Sequence, residues 1–220
     1  MKTIAIISPV NNKAIINESD LICLKKANDI SFKIYYPDND LQEIISAEDE
    51  IIATRSIVDT VIKAEKEGAN GVIIFCFGEP GVEESKKIVG IPVVGIAYPS
   101  MWLANNQEGF FIVISAVEAH NPLIDQLALR FGFLSKMRPA CAVDMSPVEI
   151  SHDPDLFLER SLDIIKNNNM TSQVNAYILG CGSMAKMTEQ IKVEAKETLN
   201  ISIMLINPLE AAIAFLSDKI

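Results

Sequence analysis

Residues 70–81, with the sequence NGVIIFCFGEPG, are the stretch that decides the fold of this chain. The short apolar run before Cys76 is bounded by glycine and proline, which predicts a buried parallel strand. Pro80, Glu83 and Glu84 predict the first turn of a helix. Cys76 then lies at the carboxyl end of a strand, the edge of an α/β sheet where ligands bind and where a helix N-terminus favours thiolate. Taken alone, such a Cys is also consistent with simple packing.

A second stretch repeats this arrangement. Residues 175–184, NAYILGCGSM, place an apolar strand before Cys181 and a helical pattern after it. Two further pairs of segments recur, KTIAIISPV with FFIVISAV, which aligns Ser8 with Ser115, and IPVVGIAYP with ISIMLINP. The offsets are 105 residues between the cysteines, 107 between the serines and 109 between the closing prolines. Three repeats at nearly one offset predict two equivalent halves, each with one thiol at the same corner of its own sheet.

The alternation of strand and helix patterns sets the expected fold class. It predicts parallel sheets with right-handed crossovers, and 220 residues suffice for two cores of about 100 residues each. We therefore expect an α/β protein of two pseudo-symmetric, doubly wound, Rossmann-like halves with the active site between them. The expected halves are residues 1–98 and 99–206, with residues 207–220 packing back onto the first. Helices are predicted at 17–28, 48–67, 101–106, 122–131, 183–199 and from Pro154 and Leu209.

Composition excludes several classes of function. A formal charge of −10 and the absence of a basic cluster argue against nucleic-acid binding, which depends on Lys and Arg neutralising phosphates. The N-terminus lacks the layout of a signal peptide, and no apolar run approaches the roughly 18 residues of a membrane span, so we expect a cytoplasmic protein without membrane contacts. The four cysteines show neither C-x-x-C pairs nor zinc-site spacing with His. We expect no metal site, and a packing role for Cys23 and Cys141.

The predicted symmetry suggests a chemistry. Two strand-end thiols on opposite sides of one cleft suit a two-base reaction, in which Cys76 or Cys181 removes a Cα proton and the other thiol protonates the opposite face. The ordinary thiol pKa of about 8.5 keeps both protonation states within reach near neutrality. The amides of Phe77 and Gly78, and of Gly182 and Ser183, are expected to head helices and to hold substrate oxygens. No nucleotide-binding or Schiff-base motif is present, so no cofactor is expected.

At these residues the chain resembles the aspartate/glutamate/hydantoin racemase superfamily, and most closely its hydantoin racemase branch. CFGEPG at Cys76 is similar to the branch's Cys-Phe-Gly-Asp-Pro-Gly, with Glu79 in place of Asp, and IPVVGI at Ile91 is similar to the segment that follows. GCGSM at Gly180 stands where the family has Gly-Cys-(Thr or Ala)-Gly-Met. The resemblance covers nearly the whole chain. It implies a cofactor-independent racemase or epimerase of hydantoin or amino-acid-type substrates, with Cys76 and Cys181 as acid and base, and a homo-oligomer.

The resemblance also adds candidate substrate-binding residues and shows where the chain departs from the family. The first strand ends in Ser8-Pro9-Val10 where the branch has Asn-Pro-Asn, with Asn11 as a substitute amide. The loop Ile-Glu-Ser-x-Tyr-Asp-Glu corresponds to residues 44–50, which keep Ser46 and the acidic pair, and Gly182-Ser183 moves the hydroxyl one place along. The expected substrate-binding residues are Pro9, Asn11, Ser46, Phe77, Gly78, Ser115, Gly182 and Ser183.

Other functions stay open at this stage. An aspartate or glutamate racemase, a decarboxylase or a cis-trans isomerase could share the fold, although possession of both thiols argues against the decarboxylase. A non-catalytic small-molecule-binding protein and a redox dithiol are further alternatives. The sequence does not identify the substrate among hydantoins, allantoin and acidic amino acids, nor the Cys that serves each enantiomer.

Overall fold

A computed structural model of the chain describes residues 2–21, 30–169 and 173–220. The chain divides into two compact units, unit 1 (Met1–Ile96 and Ala212–Ile220) and unit 2 (Ala97–Ala211). Each unit contains a parallel sheet of four strands among the described residues. The predicted fold class, α/β with two doubly wound halves, is confirmed.

Unit 1 is built on a sheet with the strand order β2-β1-β3-β4. Its described elements are β1 (Lys2–Ile7), a 3₁₀ helix (Glu18–Leu21), β2 (Ile30–Tyr35), α1 (Ala47–Lys66), β3 (Gly71–Ile74), α2 (Val82–Lys86) and β4 (Val93–Gly95). Most strand residues are buried because helices and loops cover a parallel sheet on both sides, and β3 is buried along its whole length.

Helix α1 shows how the sequence specifies these elements. Ser46 caps its N-terminus, and the buried positions Ala53, Ile57, Val61 and Ala64 recur at helical spacing and pack in the core of unit 1. The helix ends before Gly68, which has a φ of 93° that glycine adopts without strain. The predicted helix over 48–67 is therefore found within one residue at each end.

Unit 2 repeats the architecture with the strand order β6-β5-β7-β8. Its elements begin with α3 (Ala97–Asn105), β5 (Phe110–Ser115), α4 (Asn121–Phe131), β6 (Cys141–Ala142), α5 (Pro147–His152) and α6 (Pro154–Asn169). They continue with β7 (Val174–Leu179), a 3₁₀ helix (Gly182–Met187), α7 (Thr188–Leu199), β8 (Met204–Ile206) and α8 (Pro208–Ser217), and two further 3₁₀ turns are Glu118–His120 and Leu134–Lys136. The final residues of α8, from Ala212 onward, belong to unit 1.

Three predicted helices differ from the structure. The helix expected at 101–106 begins earlier, at Ala97, and ends at Asn105. The helix expected at 183–199 is divided into the 3₁₀ helix Gly182–Met187 and α7. The helix expected at 17–28 is described only at Glu18–Leu21, which form a 3₁₀ turn, and its other positions from 22 onward lie outside the described residues.

The chain's last residues pack in unit 1 beside the start of β3. The Leu216 and Ile220 side chains lie so close to Gly71 that a Cβ on this glycine would be 2.9 Å from Ile220 Cγ2 and 3.1 Å from Leu216 Cδ2. Lys2 Nζ also donates to the carbonyl oxygen of Ile220. Residues of α8 and the tail thus complete the core at one end of the sheet of unit 1.

Candidate active site

Cys76 lies just beyond the carboxyl end of β3. The last strand residue, Ile74, pairs with Ile7 of β1 on one side and with Gly95 of β4 on the other. The amide of Phe75 extends the ladder by donating to the Ile7 carbonyl over 2.9 Å. Cys76 follows as a half-buried cysteine outside any disulfide, at the point where the chain leaves the sheet.

The chain turns sharply after Cys76. The amide of Glu79 donates to the Cys76 carbonyl over 3.1 Å, and α2 begins only at Val82. The expectation that the amides of Phe77 and Gly78 head a helix is therefore wrong, because both residues lie in this turn, Phe77 buried and Gly78 half-buried. Their role in substrate binding stays a prediction.

Cys181 occupies the corresponding place in unit 2. Ile114 of β5 pairs with Leu179 of β7, and the amide of the next residue, Gly180, donates to the Ile114 carbonyl over 2.8 Å. Cys181 is half-buried and extended, with φ −146° and ψ 142°, and it directly precedes the 3₁₀ helix. Its Sγ atom lies 3.1 Å from the Oγ atom of Ser183.

The register shows that the two thiols are structurally equivalent. Ile74 is the last residue of β3 that pairs with β1, and Leu179 is the last residue of β7 that pairs with β5. In each unit the Cys is the second residue after this last paired residue. In each sheet the strand before the Cys lies beside the first strand of that sheet. From the first strand the chain continues to one edge of the sheet, and from the strand before the Cys it continues to the other edge. Such a switch point is where open α/β sheets bind ligands.

Gly180 allows β7 to approach β5 closely before Cys181. A Cβ at this position would lie 2.6 Å from Val113 Cγ1 and 2.8 Å from the Ile114 carbonyl oxygen. Contacts below 3.0 Å essentially never occur for real Cβ atoms, so no larger residue fits without displacing β5 or β7. Gly180 thus fixes the place from which the Cys181 side chain projects.

Glu79 is a buried acidic residue next to Cys76. It is 7% exposed and has a φ of 58°, a left-handed conformation that costs a non-glycine residue about 1–3 kcal/mol. Its side chain fills the space above Gly95, where a Cβ would lie 2.4 Å from Glu79 Cγ and Cδ. The strained turn after Cys76 is therefore packed against the end of β4.

The candidates from the first loop and from the start of α1 have different environments. Pro9 is buried after β1, and its carbonyl oxygen accepts a weak hydrogen bond from the Asn39 amide over 3.5 Å, whereas Asn11 is exposed. Ser46 is exposed, and its hydroxyl donates to Asp49 Oδ2 over 2.7 Å and accepts from the Asp49 amide over 3.1 Å. The hydrogen bonds that the Asp49 carboxylate accepts, from the Ser46 hydroxyl most of all and then from the Ile45 and Ser46 amides, lower its pKa. Ser46 thus has a capping role that the sequence analysis did not assign.

The remaining candidates lie at the carboxyl ends of β5 and β7. Ser115 is buried and its Oγ atom lies 2.6 Å from Asn121 Oδ1. Gly182 and Ser183 are buried in the first turn of the 3₁₀ helix, as their predicted place at a helix start requires.

Cys141 has a different environment from the other two described cysteines. It lies in β6, packs on the core of unit 2, and accepts a long hydrogen bond from the Asn168 amide over 3.8 Å. Burial raises the pKa of the Cys141 thiol. The neighbouring Tyr177 hydroxyl is itself buried, and this is the main reason why its pKa rises to about 12. These features fit the predicted packing role. The Cys23 prediction falls outside the described residues.

Two features are absent from the part of the chain that the structure describes. Within residues 2–21, 30–169 and 173–220, no three His, Cys, Asp or Glu side chains group in a way that could hold a metal ion. In the same part of the chain no helix combines the length and apolar character needed to cross a membrane.

Sequence reasoning missed the contact of Glu79 with Gly95 and that of Ser183 with Cys181. The first joins residues on different elements, so only the register of β3 and β4 brings them together. The second had a local signal, a hydroxyl two residues after Cys181, but its use depends on the conformation of Cys181.

Comparisons with known proteins agree with this architecture. A curated hydantoin racemase from Pseudomonas sp. (strain NS671) is 25% identical over 146 residues, which are 66% of this chain and 59% of that protein. The chain thus matches about three fifths of the length of this relative. Two solved structures share the fold: allantoin racemase from Klebsiella pneumoniae (TM-score 0.89, 20% identity, 99% of this chain and 87% of that one) and allantoin racemase from Pseudomonas fluorescens (TM-score 0.87, 18% identity, 98% and 89%).

The family comparison covers most of the chain. The family model described as Asp/Glu/Hydantoin racemase matches residues 19–216, a range that includes both Cys76 and Cys181. The chain therefore belongs to the Asp/Glu/hydantoin racemase family.

Proposed function

We propose that this protein is a cofactor-independent racemase or epimerase that uses Cys76 and Cys181 as acid and base at the Cα of a hydantoin-type or amino-acid-type substrate. The observation that carries the proposal is the pair of half-buried thiols at one and the same register position of two matching sheets. The switch point of each sheet is a general ligand site, and a thiol there is placed to react with what binds.

The reaction needs both protonation states of the pair. One Cys, as thiolate, takes the Cα proton and becomes a thiol, and the electron pair of the broken C–H bond spreads onto the adjacent carbonyl of the substrate. The other Cys, as thiol, gives its proton to the opposite face of that carbon and becomes a thiolate. No net charge or proton is gained, and the next turnover can run in reverse. The proposal requires that the thiols reach opposite faces of one substrate carbon.

The names of the relatives suggest the class of substrate. 5-Substituted hydantoins, of which allantoin is one, share a ring in which the stereogenic carbon adjoins a carbonyl, so the negative charge formed by deprotonation is delocalised. The similarity of the chain to hydantoin and allantoin racemases supports such ring compounds as first candidates, with aspartate and glutamate as alternatives. A cytoplasmic location and a homo-oligomeric state remain predictions, the latter measurable by light scattering.

The test measures hydrogen exchange by each thiol separately. In D2O, NMR follows the Cα proton of each pure enantiomer of 5-substituted hydantoins, allantoin, aspartate and glutamate, with the enzyme-free rate subtracted. We expect Cys76→Ser and Cys181→Ser each to lose net racemisation by at least about a hundredfold, because one acid/base group is gone. Each variant should still exchange one enantiomer, of opposite hand in the two. Cys141→Ser, the matched control, should exchange both enantiomers as the unmodified protein does.

Three outcomes would contradict the proposal in different ways. Equal exchange of both enantiomers by a single-Cys variant would indicate a one-base site. Exchange of aspartate or glutamate but of no hydantoin would exclude the hydantoin branch and keep the mechanism. Binding without exchange of any substrate would indicate a non-catalytic protein.

A further inference from the structure

The two equivalent thiols have different neighbours. Two residues after Cys181 stands Ser183, whose hydroxyl oxygen is 3.1 Å from the Cys181 sulfur. The corresponding residue after Cys76 is Gly78, which has no side chain. Both positions lie two residues beyond the equivalent cysteines, but Gly78 is in a turn and Ser183 is in a 3₁₀ helix. The two cysteines therefore differ in the residue, and in the backbone conformation, that follows them.

The environment of Ser183 limits what its hydroxyl can do. The side chain is 2% exposed, in the first turn of the 3₁₀ helix, so water has little access to it. A buried hydroxyl needs a partner, and Cys181 Sγ lies within hydrogen-bond distance for sulfur. Because a hydroxyl can both donate and accept, it can accept from the S–H of the thiol and donate to the sulfur of the thiolate.

We infer that Ser183 is a positioning residue for Cys181, which holds the sulfur in place in both protonation states and favours the thiolate. The catalytic importance of this hydrogen bond rests on the proposed function. Ser183 then binds the Cys181 sulfur, whereas the sequence predicted that it binds the substrate. A hydrogen bond donated to a charged sulfur is stronger than one accepted from a neutral S–H, so the bond favours the charged form. Gly78, at the corresponding place after Cys76, has no side-chain hydroxyl, so the Ser183 hydroxyl is particular to Cys181.

Charged groups on the 3₁₀ helix and on the elements packed around it could also affect the protonation of Cys181. Lys186, on the helix itself, is exposed. On α5, exposed Glu149 accepts from the Ser146 amide over 2.7 Å in a capping box, and exposed His152 contacts the Val148 carbonyl through Nδ1 over 2.8 Å. On α7, Glu189 pairs with Lys192 over 2.7 Å. Because these groups are unchanged in a Ser183 variant, any change in Cys181 reports the hydroxyl.

The test is the pH dependence of alkylation of the full-length protein by iodoacetamide, followed by mass spectrometry of each Cys peptide. Thiolate is the reactive form, so the midpoint of the profile reports the protonation of each cysteine separately. We expect Ser183→Ala to raise the Cys181 midpoint by about one pH unit. Well below the midpoint, the Cys181 rate should fall by only about three- to fourfold, since a more basic thiolate is also more nucleophilic.

The controls separate a positioning role from a general effect on the fold. Ser183→Thr keeps the hydroxyl and should restore the Cys181 midpoint. Ser161→Ala, which removes another fully buried hydroxyl, bonded to the Phe157 carbonyl over 2.8 Å, should leave the midpoint unchanged. Ser183→Gly is a second hydroxyl-free variant, read in the same way if Ser183→Ala is not recovered folded.

Two results would overturn the inference: an unchanged Cys181 midpoint in both hydroxyl-free variants, or an equal shift of the Cys76 and Cys181 midpoints. Since alkylation needs no substrate, these results are independent of the exchange experiment. An unchanged midpoint together with enantiomer-specific exchange would refute the role of Ser183 and leave the racemase intact. A shifted midpoint without exchange of any substrate would support the role of Ser183 and refute the racemase.

Discussion

Replacement of Gly180 by Ala is the sharpest test of how the second sheet places its thiol. The added methyl group would lie 2.6 Å from Val113 Cγ1 and 2.8 Å from the Ile114 carbonyl oxygen. The Val113 side chain can rotate away, but the Ile114 oxygen is backbone and accepts the amide hydrogen of residue 180 itself. The methyl group can therefore be accommodated only if β5 and β7 separate.

The expected cost lies at the upper end of the range for overpacking. Inserted methyl groups in well-packed cores cost about 1–3 kcal/mol, and the backbone contact favours about 3 kcal/mol for Gly180→Ala. For a protein of this size that corresponds to a fall in Tm of roughly 6–12 °C. Displacement of the strand end should also move the Cys181 sulfur, so exchange of one enantiomer should fall while exchange of the other persists.

Thermal unfolding followed by circular dichroism, with Gly90→Ala as matched control, measures this cost. A Cβ at Gly90 would lie 3.6 Å from Glu65 Oε1, an ordinary contact, and neither Gly90 nor Gly180 has a left-handed φ. The control should change stability by less than about 0.5 kcal/mol. If Gly180→Ala unfolds at the same temperature as the control and exchanges both enantiomers normally, the close approach of β7 to β5 does not fix Cys181.

Three further predictions concern unit 1. Gly95→Ala should lower the free energy of unfolding by about 1–3 kcal/mol, because its Cβ would lie 2.4 Å from Glu79 Cγ. In a Glu79→Ala background the same substitution should cost less than about 0.5 kcal/mol. Urea unfolding measures both costs, and equal values in the two backgrounds would refute the contact. Ser46→Ala should cost about 1 kcal/mol at pH 7 as a lost helix cap. The folded-state pKa of Asp49 lies below its ordinary 3.8, so the stability that its carboxylate contributes is complete above pH 3.8 and is lost as the pH falls through the folded-state pKa. Asp49→Asn should therefore flatten the dependence of stability on acid pH. An unchanged slope in acid titrations of stability would contradict this prediction.

The sequence was sufficient to predict the sheets because parallel strands are buried on both faces. They appear as short apolar runs between glycines and prolines, and the repeated segment FFIVISAV contains β5. Helix α1 was predictable because its apolar period and its final glycine agree. Helix α5 was not predicted, although Ser146 and Glu149 form a capping box with the usual three-residue spacing, because its six residues are too few to show a periodic apolar face.

The candidate site was predictable only in part, for a physical reason. The place of Cys76 and Cys181 at strand ends follows from local pattern, since the strand that precedes each is easily recognised. Their surroundings depend on which residues of other elements lie beside them, as Gly95 lies beside Glu79, and that is set by register. The capping role of Ser46 competes with its predicted role in substrate binding for one hydroxyl, and only the folded structure shows the hydrogen bonds with Asp49.

The packing of Leu216 and Ile220 against Gly71 has a consequence for the order in which the chain can fold during synthesis. Unit 2 is one continuous stretch, so all of its residues have been made before residues 212–220 leave the ribosome. Unit 1 has its whole sheet much earlier, yet the start of β3 stays uncovered until those last residues arrive. Although domains generally fold from the N-terminus onward during translation, here the first unit to begin is the last to be completed.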